Sequence, residues 1–268
     1  MTLSDRALGW LSRVYVLLAF GFIFMPIITL VIFAFNQNRF PSLPWQGFSL
    51  AWFAAVLQDQ AFLAATRRSV IVALSVAVIA TLLGATAAYF VTRWDVRGKG
   101  LYLGIVLAPP CIPLLILGLA LLIFLRQLPI SNSLVKVIVS HVVIAAPFAF
   151  GIVRLRLAEL DPALEQAAWN LGATEWDAIR SVVLPQALPS LIAAFLLAMT
   201  VSWDEFIVAW FVSGLEITLP VYIWTSFQAE ISTAVNAIGA LAFAVSITLV
   251  VLAEVLLFRG SHAGERVA

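Results

Sequence analysis

Two carboxylates stand side by side in an apolar run of this chain. Asp204 and Glu205 interrupt a stretch that begins near Pro189 and ends at Val212. An ionisable side chain inside hydrocarbon is costly, and such groups usually face a partner or a water-filled cavity. Asp204 lies 15 residues after Pro189, about 22 Å along a helix. With Pro189 near the inner interface, the acids fall in the outer half of a bilayer. A carboxylate there can attract a cation, and Trp203 and Trp210 could offer ring faces to an ammonium group. Adjacent helical positions point about 100° apart, so the two acids are not expected to share one environment. Pairing of either acid with an arginine or a partner's cation, exposure near the interface, and simple packing of the tryptophans stay open as alternatives.

Other chemistries find no support in the residues. No G-x-x-x-x-G-K-[ST] loop is present, so the chain has no phosphate cradle of its own, and Gly98-Lys99-Gly100 reads as a basic turn. No Ser/His/Asp constellation or metal-ligand spacing rises above chance. His141 reads as a packed, neutral histidine bonded to a backbone carbonyl. The one cysteine, Cys111, rules out an internal disulfide and reads as a small packed residue among apolar neighbours. The chain is expected to be neither an enzyme nor the holder of a metal or cofactor.

The elements that position these residues follow from composition. The 268 residues are 63% hydrophobic and only 11% charged, too little polar material to cover a soluble domain. The expected class is an all-α, polytopic membrane protein of one domain over residues 1–268. About 20 apolar helical residues cross the roughly 30 Å hydrocarbon layer, and six segments qualify: Val14 to Phe35, Ser69 to Thr92, Gly100 to Leu125, Val137 to Val153, Pro189 to Val212 and Ile231 to Ala253. The first is too long for a signal-peptide core and is expected to remain as a span. Pro109, Pro110 and Pro113 open or break the third. Ile217 to Ala229 is too short to span and reads as an interfacial or re-entrant segment.

With six spans both termini share a side. That side holds Arg6, Arg13, Arg93, Arg97, Lys99, Arg154, Arg156, Arg180, Arg259 and Arg266, against Arg39, Arg67, Arg68, Arg126 and Lys136 on the other. The excess of Lys and Arg places both termini in the cytoplasm, together with the polar stretch Leu160 to Ser190.

That stretch, LDPALEQAAWNLGATEWDAIRSVVLPQALPS, carries helix signals of its own. Asp161 followed by Pro162 marks a helix start. Leu164, Ala167, Ala168 and Leu171 fall on one face, and Gly172 suits the left-handed residue that ends a helix. Thr174 and Asp177 form a capping-box spacing for a second helix, which Pro185 is expected to end at Leu184. Neither helix is long enough to be stable alone in water, so each needs a surface. The charges Asp161, Glu165, Glu175 and Asp177 against Arg180 alone have the wrong sign for phosphate, which removes a DNA-binding helix-turn-helix. An amphipathic loop resting on the bilayer or its own bundle, and a docking element for a cytoplasmic partner, both remain.

The same residues resemble the EAA signature of binding-protein-dependent ABC transporter permeases. Gln166-Ala167-Ala168, then Gly172, then Val182, then Leu184-Pro185 reproduce its spacing, with Gln166 in place of the motif's Glu, Glu165 one position earlier, and Val182 in place of Ile. The resemblance implies a type I importer permease architecture (MetI-like), with residues 160–190 as the loop that couples to an ATPase. It assigns that role to Glu165, Gln166, Ala167, Ala168, Gly172, Val182, Leu184 and Pro185. It implies a homologous permease as heterodimeric partner, two copies of a cytoplasmic ABC ATPase that bind ATP and Mg, and a separate periplasmic or extracellular substrate-binding protein. The setting it implies is the bacterial inner membrane.

Ser202-Trp203-Asp204-Glu205-Phe206, Phe211-Val212-Ser213-Gly214, Leu219-Pro220-Val221-Tyr222-Ile223 and Val235-Asn236-Ala237 are similar to the second permease subunits of spermidine/putrescine importers. A polyamine is therefore the expected cargo, with Trp203, Asp204, Glu205 and Trp210 as the candidate path. A phosphonate, iron-complex or opine-like cargo is the first alternative. An ion-coupled secondary transporter is the second, but it predicts internal repeats that the chain lacks.

Overall fold

The computed structural model describes residues 3–95 and 97–264. Arg266, counted in the charge tally above, lies outside them, as do the side chains of Arg6 and Arg259. Regular structure among the described residues is helical, apart from one antiparallel bridge between Asn36 and Phe48. The elements are α1 (Leu3–Ala34), α2 (Ala51–Gln58), α3 (Gln60–Arg93), α4 (Lys99–Leu107), α5 (Leu114–Arg126), α6 (Ser133–Glu159), α7 (Ala163–Asn170), α8 (Glu175–Ala178), α9 (Leu184–Asp204), α10 (Ile207–Val212), α11 (Leu219–Ala229) and α12 (Thr233–Gly264).

Five described helices are long and apolar enough to cross a membrane: Gly9–Ala34, α3, α6, Glu175–Asp204 and Thr233–Val255. The expected third span is split. After α4, the turn Pro109–Cys111 is a short 3-10 segment, and α5 begins after Pro113. Consecutive prolines cannot donate to a helical ladder, and this turn leaves Cys111 exposed, not packed as the sequence suggested. At 34 residues, α3 is about 51 Å long, far more than hydrocarbon requires. Arg67 and Arg68 therefore sit in its first turns and Arg93 in its last, bracketing the apolar stretch.

A second difference concerns Pro185. It does not end the second helix of the polar loop. A π turn over Ile179–Val183 joins α8 to α9, so Glu175–Asp204 is one rod of 30 residues. The Leu184 N–H donates five residues back to the Ile179 carbonyl, and this wider turn absorbs the donor and the space that a proline denies to regular helix.

The chain divides into two compact units. In the one formed by Met1–Gln60 and Ile223–Ala244, no side chain of α1 over residues 10–33 is buried, and Phe22 is 81% exposed. The loop after it is strapped down locally. Phe35 stacks on Phe48 at 5.0 Å, Thr233 N–H and Oγ1–H donate to the Arg39 and Asn38 carbonyls, and Arg39 pairs with Glu230 at 2.7 Å.

In the other unit, Ala61–Tyr222 and Val245–Ala268, small residues let helices approach closely, as is common where lipid supplies no hydrophobic drive for association. Ala145 and Ala149 of α6 and Ala194 and Ala198 of α9 are fully or almost fully buried. At Gly84 of α3 a Cβ would lie 2.6 Å from the Phe150 nitrogen and 2.9 Å from the Ala149 carbonyl carbon, so α3 touches the α6 backbone there. Val72, Val76, Leu117, Val137, Ile144 and Val208 form one apolar cluster, and Val91, Phe150, Val153, Leu157 and Val183 a second. The second cluster lies directly beneath the polar loop.

Candidate functional site

The loop between α6 and the rod is built from local capping. Its first helix starts at Ala163, one residue later than expected, and the Asp161 carboxylate still accepts the Ala163 N–H at 2.9 Å. At its end Gly172 adopts φ +89. The Gly172 N–H donates to the Trp169 carbonyl at 2.9 Å and the Ala173 N–H to the Ala168 carbonyl at 3.1 Å, which together are a Schellman closure. Thr174 then caps α8 with a complete capping box: the Asp177 N–H donates to Thr174 Oγ1, and the Asp177 carboxylate accepts from the Thr174 N–H and hydroxyl. Two helix ends are thus satisfied without help from the bundle.

The apolar side of α7 faces away from its own chain, whereas Ala178 and Val183 further along the loop are buried. Leu164 is 44% exposed, Leu171 89% and Trp176 69%, and Ala167 and Gly172 are exposed as well. These large apolar side chains form a face that the protein's own chain leaves uncovered. Gln166 belongs to this exposed face. Val182 lies in the π turn, half-buried, and Leu184 and Pro185 open α9 on its exposed side.

Glu165 points the other way. It is 2% exposed. Its Oε1 lies 2.5 Å from Arg93 Nε, and its Oε2 accepts the Tyr89 hydroxyl at 2.8 Å. Arg93 also reaches the Leu157 and Leu160 carbonyls at 3.4 and 3.5 Å. Sequence reasoning passed over Tyr89 and counted Arg93 only as a cytoplasmic charge. The available signal was their spacing: residues four apart at a helix end lie on one face. A cavity bordered by Trp94, Gln166, Trp169 and Glu175 opens beside this cluster.

At the other end of the rod, Asp204 is its last residue, and Glu205 is extended, with φ −71 and ψ 113. The Glu205 side chain turns inward, and its Oε1 accepts the Val208 N–H at 2.8 Å. It therefore caps α10. Asp204 is exposed and accepts the Ser246 hydroxyl at 2.8 Å. Trp203 is packed at 3% exposure, whereas Trp210 is exposed and lies 5.9 Å from the Phe206 ring. Of the four candidate path residues, only Asp204 and Trp210 present side chains to the outside of the chain. His141 is buried between α6 and α9, with Nδ1 2.9 Å from Ser202 Oγ; its partner is thus a hydroxyl, not the backbone carbonyl expected. Among the described residues no cluster of three or more His, Cys, Asp or Glu could hold a metal ion.

Residues 80–260 match the family described as "Binding-protein-dependent transport system inner membrane component". The chain is 29% identical over 254 residues to the Spermidine/putrescine transport system permease protein PotC of Haemophilus influenzae, covering 94% of this chain and 98% of the relative. It is 32% identical over 236 residues to the Putrescine transport system permease protein PotI of Escherichia coli K12, covering 85% and 84%. Its fold is similar to that of a bacterial ABC transporter involved in the import of the acidic polysaccharide alginate, with a TM-score of 0.66, 17% identity, and coverage of 99% and 98%.

Proposed function

Since the chain belongs to the family of binding-protein-dependent transport system inner membrane components, we propose that it is a permease subunit of an ATP-driven importer whose cargo is a small organic cation of the polyamine class. One observation carries the mechanism. A single rod, Glu175–Asp204, has the exposed apolar loop at one end and an exposed carboxylate at the other. A push on the loop is therefore delivered to the neighbourhood of the carboxylate without passing through a flexible joint.

In this reading the loop lies in the cytoplasm, as the Lys and Arg distribution favours, and its apolar side seats in a groove of an ATPase subunit that binds ATP and Mg. Closure of two ATPase copies moves α7 and the rod together, switching a cavity shared with a homologous permease between outward and inward openings. A separate binding protein delivers the cargo. Leu164, Gln166, Ala167, Leu171 and Gly172 supply the docking face, with Ala168, Val182, Leu184 and Pro185 flanking it. Asp204 is the carboxylate that meets the cation, with Trp210 as the aromatic wall. Glu205 and Trp203 hold the break in the helix. The names of the polyamine permease relatives support the cargo class, and a carboxylate that pairs with no arginine among the described residues suits a cation better than an anion.

Reconstitution of the permease pair with its ATPase and binding protein in proteoliposomes tests the reading. Spermidine or putrescine is expected to stimulate ATP hydrolysis. Stimulation by a phosphonate or an iron complex, with no response to either polyamine, overturns the cargo class.

A further inference from the structure

The buried cluster beneath the docking loop is not explained by docking. Glu165 is the one acidic residue of α7, and it is turned away from the exposed face into its own bundle. Three elements converge on it or on its cation. Tyr89 and Arg93 come from the last turns of α3, Glu165 from α7, and the carbonyls of Leu157 and Leu160, which accept from Arg93, from the end of α6. Both charged side chains are largely out of solvent, 11% exposed for Arg93 and 3% for Glu165. A pair so placed attracts strongly, and losing one member strands the other charge in a dry site. The contact therefore holds α7 at one angle to α3, unlike an exposed pair, which yields easily.

We infer that the Arg93–Glu165 pair, with Tyr89, is a latch that transmits movement of the docking loop into α3. The inference rests on the reading that the loop docks on an ATPase. The loop then has two mechanical outputs. One is covalent, through α8 and the π turn into α9. The other is the latch, which adds α3, the helix whose Gly84 is in backbone contact with α6. Without the latch, α7 pivots at its Leu160 end, and the stroke reaches the rod but not α3. Arg93 and Tyr89 are positioning residues in this scheme. They touch neither the cargo nor the ATPase.

The test uses the assembled transporter with Arg93→Ala, Arg93→Lys and Tyr89→Phe, reading ATPase co-purification, ATP hydrolysis and cargo moved per ATP. The latch predicts that Arg93→Ala retains the ATPase and continues to hydrolyse ATP, while cargo moved per ATP falls about tenfold, within the range of typical coupling energies. Arg93→Lys restores part of the ratio, because a point charge keeps the pairing but not the fork. Cargo per ATP at the native ratio in Arg93→Ala overturns the latch. If that variant fails to assemble, Tyr89→Phe decides, since it removes a single hydrogen bond: a reduced ratio supports the latch and a native ratio overturns it. Leu171→Glu on the docking face separates the two ideas. Undiminished co-purification of that variant sinks the docking reading, on which the latch depends, whereas a native ratio in Arg93→Ala with docking lost in Leu171→Glu sinks the latch alone.

Discussion

Glu165 and Gln166 are neighbours in α7 and serve opposite surfaces. The Glu165 carboxylate is enclosed by Arg93 and Tyr89, and Gln166 lies on the exposed face beside Ala167. The glutamine at the family's glutamate position thus leaves the proposed docking face uncharged there, while the carboxylate one residue earlier belongs to the protein's own interior. This division predicts unequal mutational costs. Gln166→Ala should change stability by less than about 0.5 kcal/mol, as exposed substitutions generally do. Glu165→Ala should cost about 3 kcal/mol, because it strands the Arg93 guanidinium. Denaturant titration of the purified permease pair compares them, and equal shifts would contradict the assignment.

The loop turn should be sensitive to backbone chemistry alone. Gly172 sits at φ +89 with nothing near its would-be Cβ, so conformation and not space is limiting. Gly172→Val forces a β-branched residue into left-handed geometry at about 1–3 kcal/mol, which opens the Schellman closure and tilts α7. Co-purification of the ATPase should drop in that variant. Gly172→Asn, which tolerates the same geometry, should retain it. Loss in both would point to a side-chain requirement instead.

Space is limiting at Gly84. Its would-be Cβ meets backbone atoms of Ala149 and Phe150 at 2.6–2.9 Å, which cannot move without displacing α6. Gly84→Ala should cost on the order of 1–3 kcal/mol, as overpacking does, and Gly84→Leu should abolish the folded protein. Thermal stability in detergent reports the first and membrane yield the second. A native melting temperature for Gly84→Leu would refute the close approach.

The two acids at the end of the rod should separate cleanly. Asp204→Asn is expected to impair cation uptake with assembly intact, since the side chain is exposed and its Ser246 bond can be kept by an amide oxygen. Glu205→Gln should take up cargo normally, because the amide oxygen can still accept the Val208 N–H. Glu205→Ala should lose about 1 kcal/mol of stability, the usual cost of deleting a helix cap. Initial uptake rates of radiolabelled putrescine in proteoliposomes measure the pair. Normal uptake by Asp204→Asn would remove it from the path.

Membrane class, helical content and the capping chemistry of the polar loop were legible from residue order, because each depends on local rules. Twenty apolar residues need a helix in lipid, Thr174 and Asp177 meet only at their three-residue spacing, and Gly172 is the residue that tolerates a positive φ. That Leu164, Ala167, Ala168 and Leu171 share one face was readable too, but not which way that face points. Tertiary structure decided the rest. Pro185 was expected to stop a helix and instead follows a π turn inside one, where the Leu184 N–H reaches the Ile179 carbonyl and the wider turn makes room for the ring. Arg93 and Glu165 are 72 positions apart, as read from their numbers, and no periodicity links them. Their pairing depends on where α3 and α6 cross, which Gly84, Ala149 and Phe150 set through close packing. Asp204 and Glu205 were expected to meet different environments, and only the break after Asp204 decided which became a helix cap and which faces outward. Local rules place a helix, but side-chain surroundings follow from the contacts between helices, and those are set by the whole bundle at once.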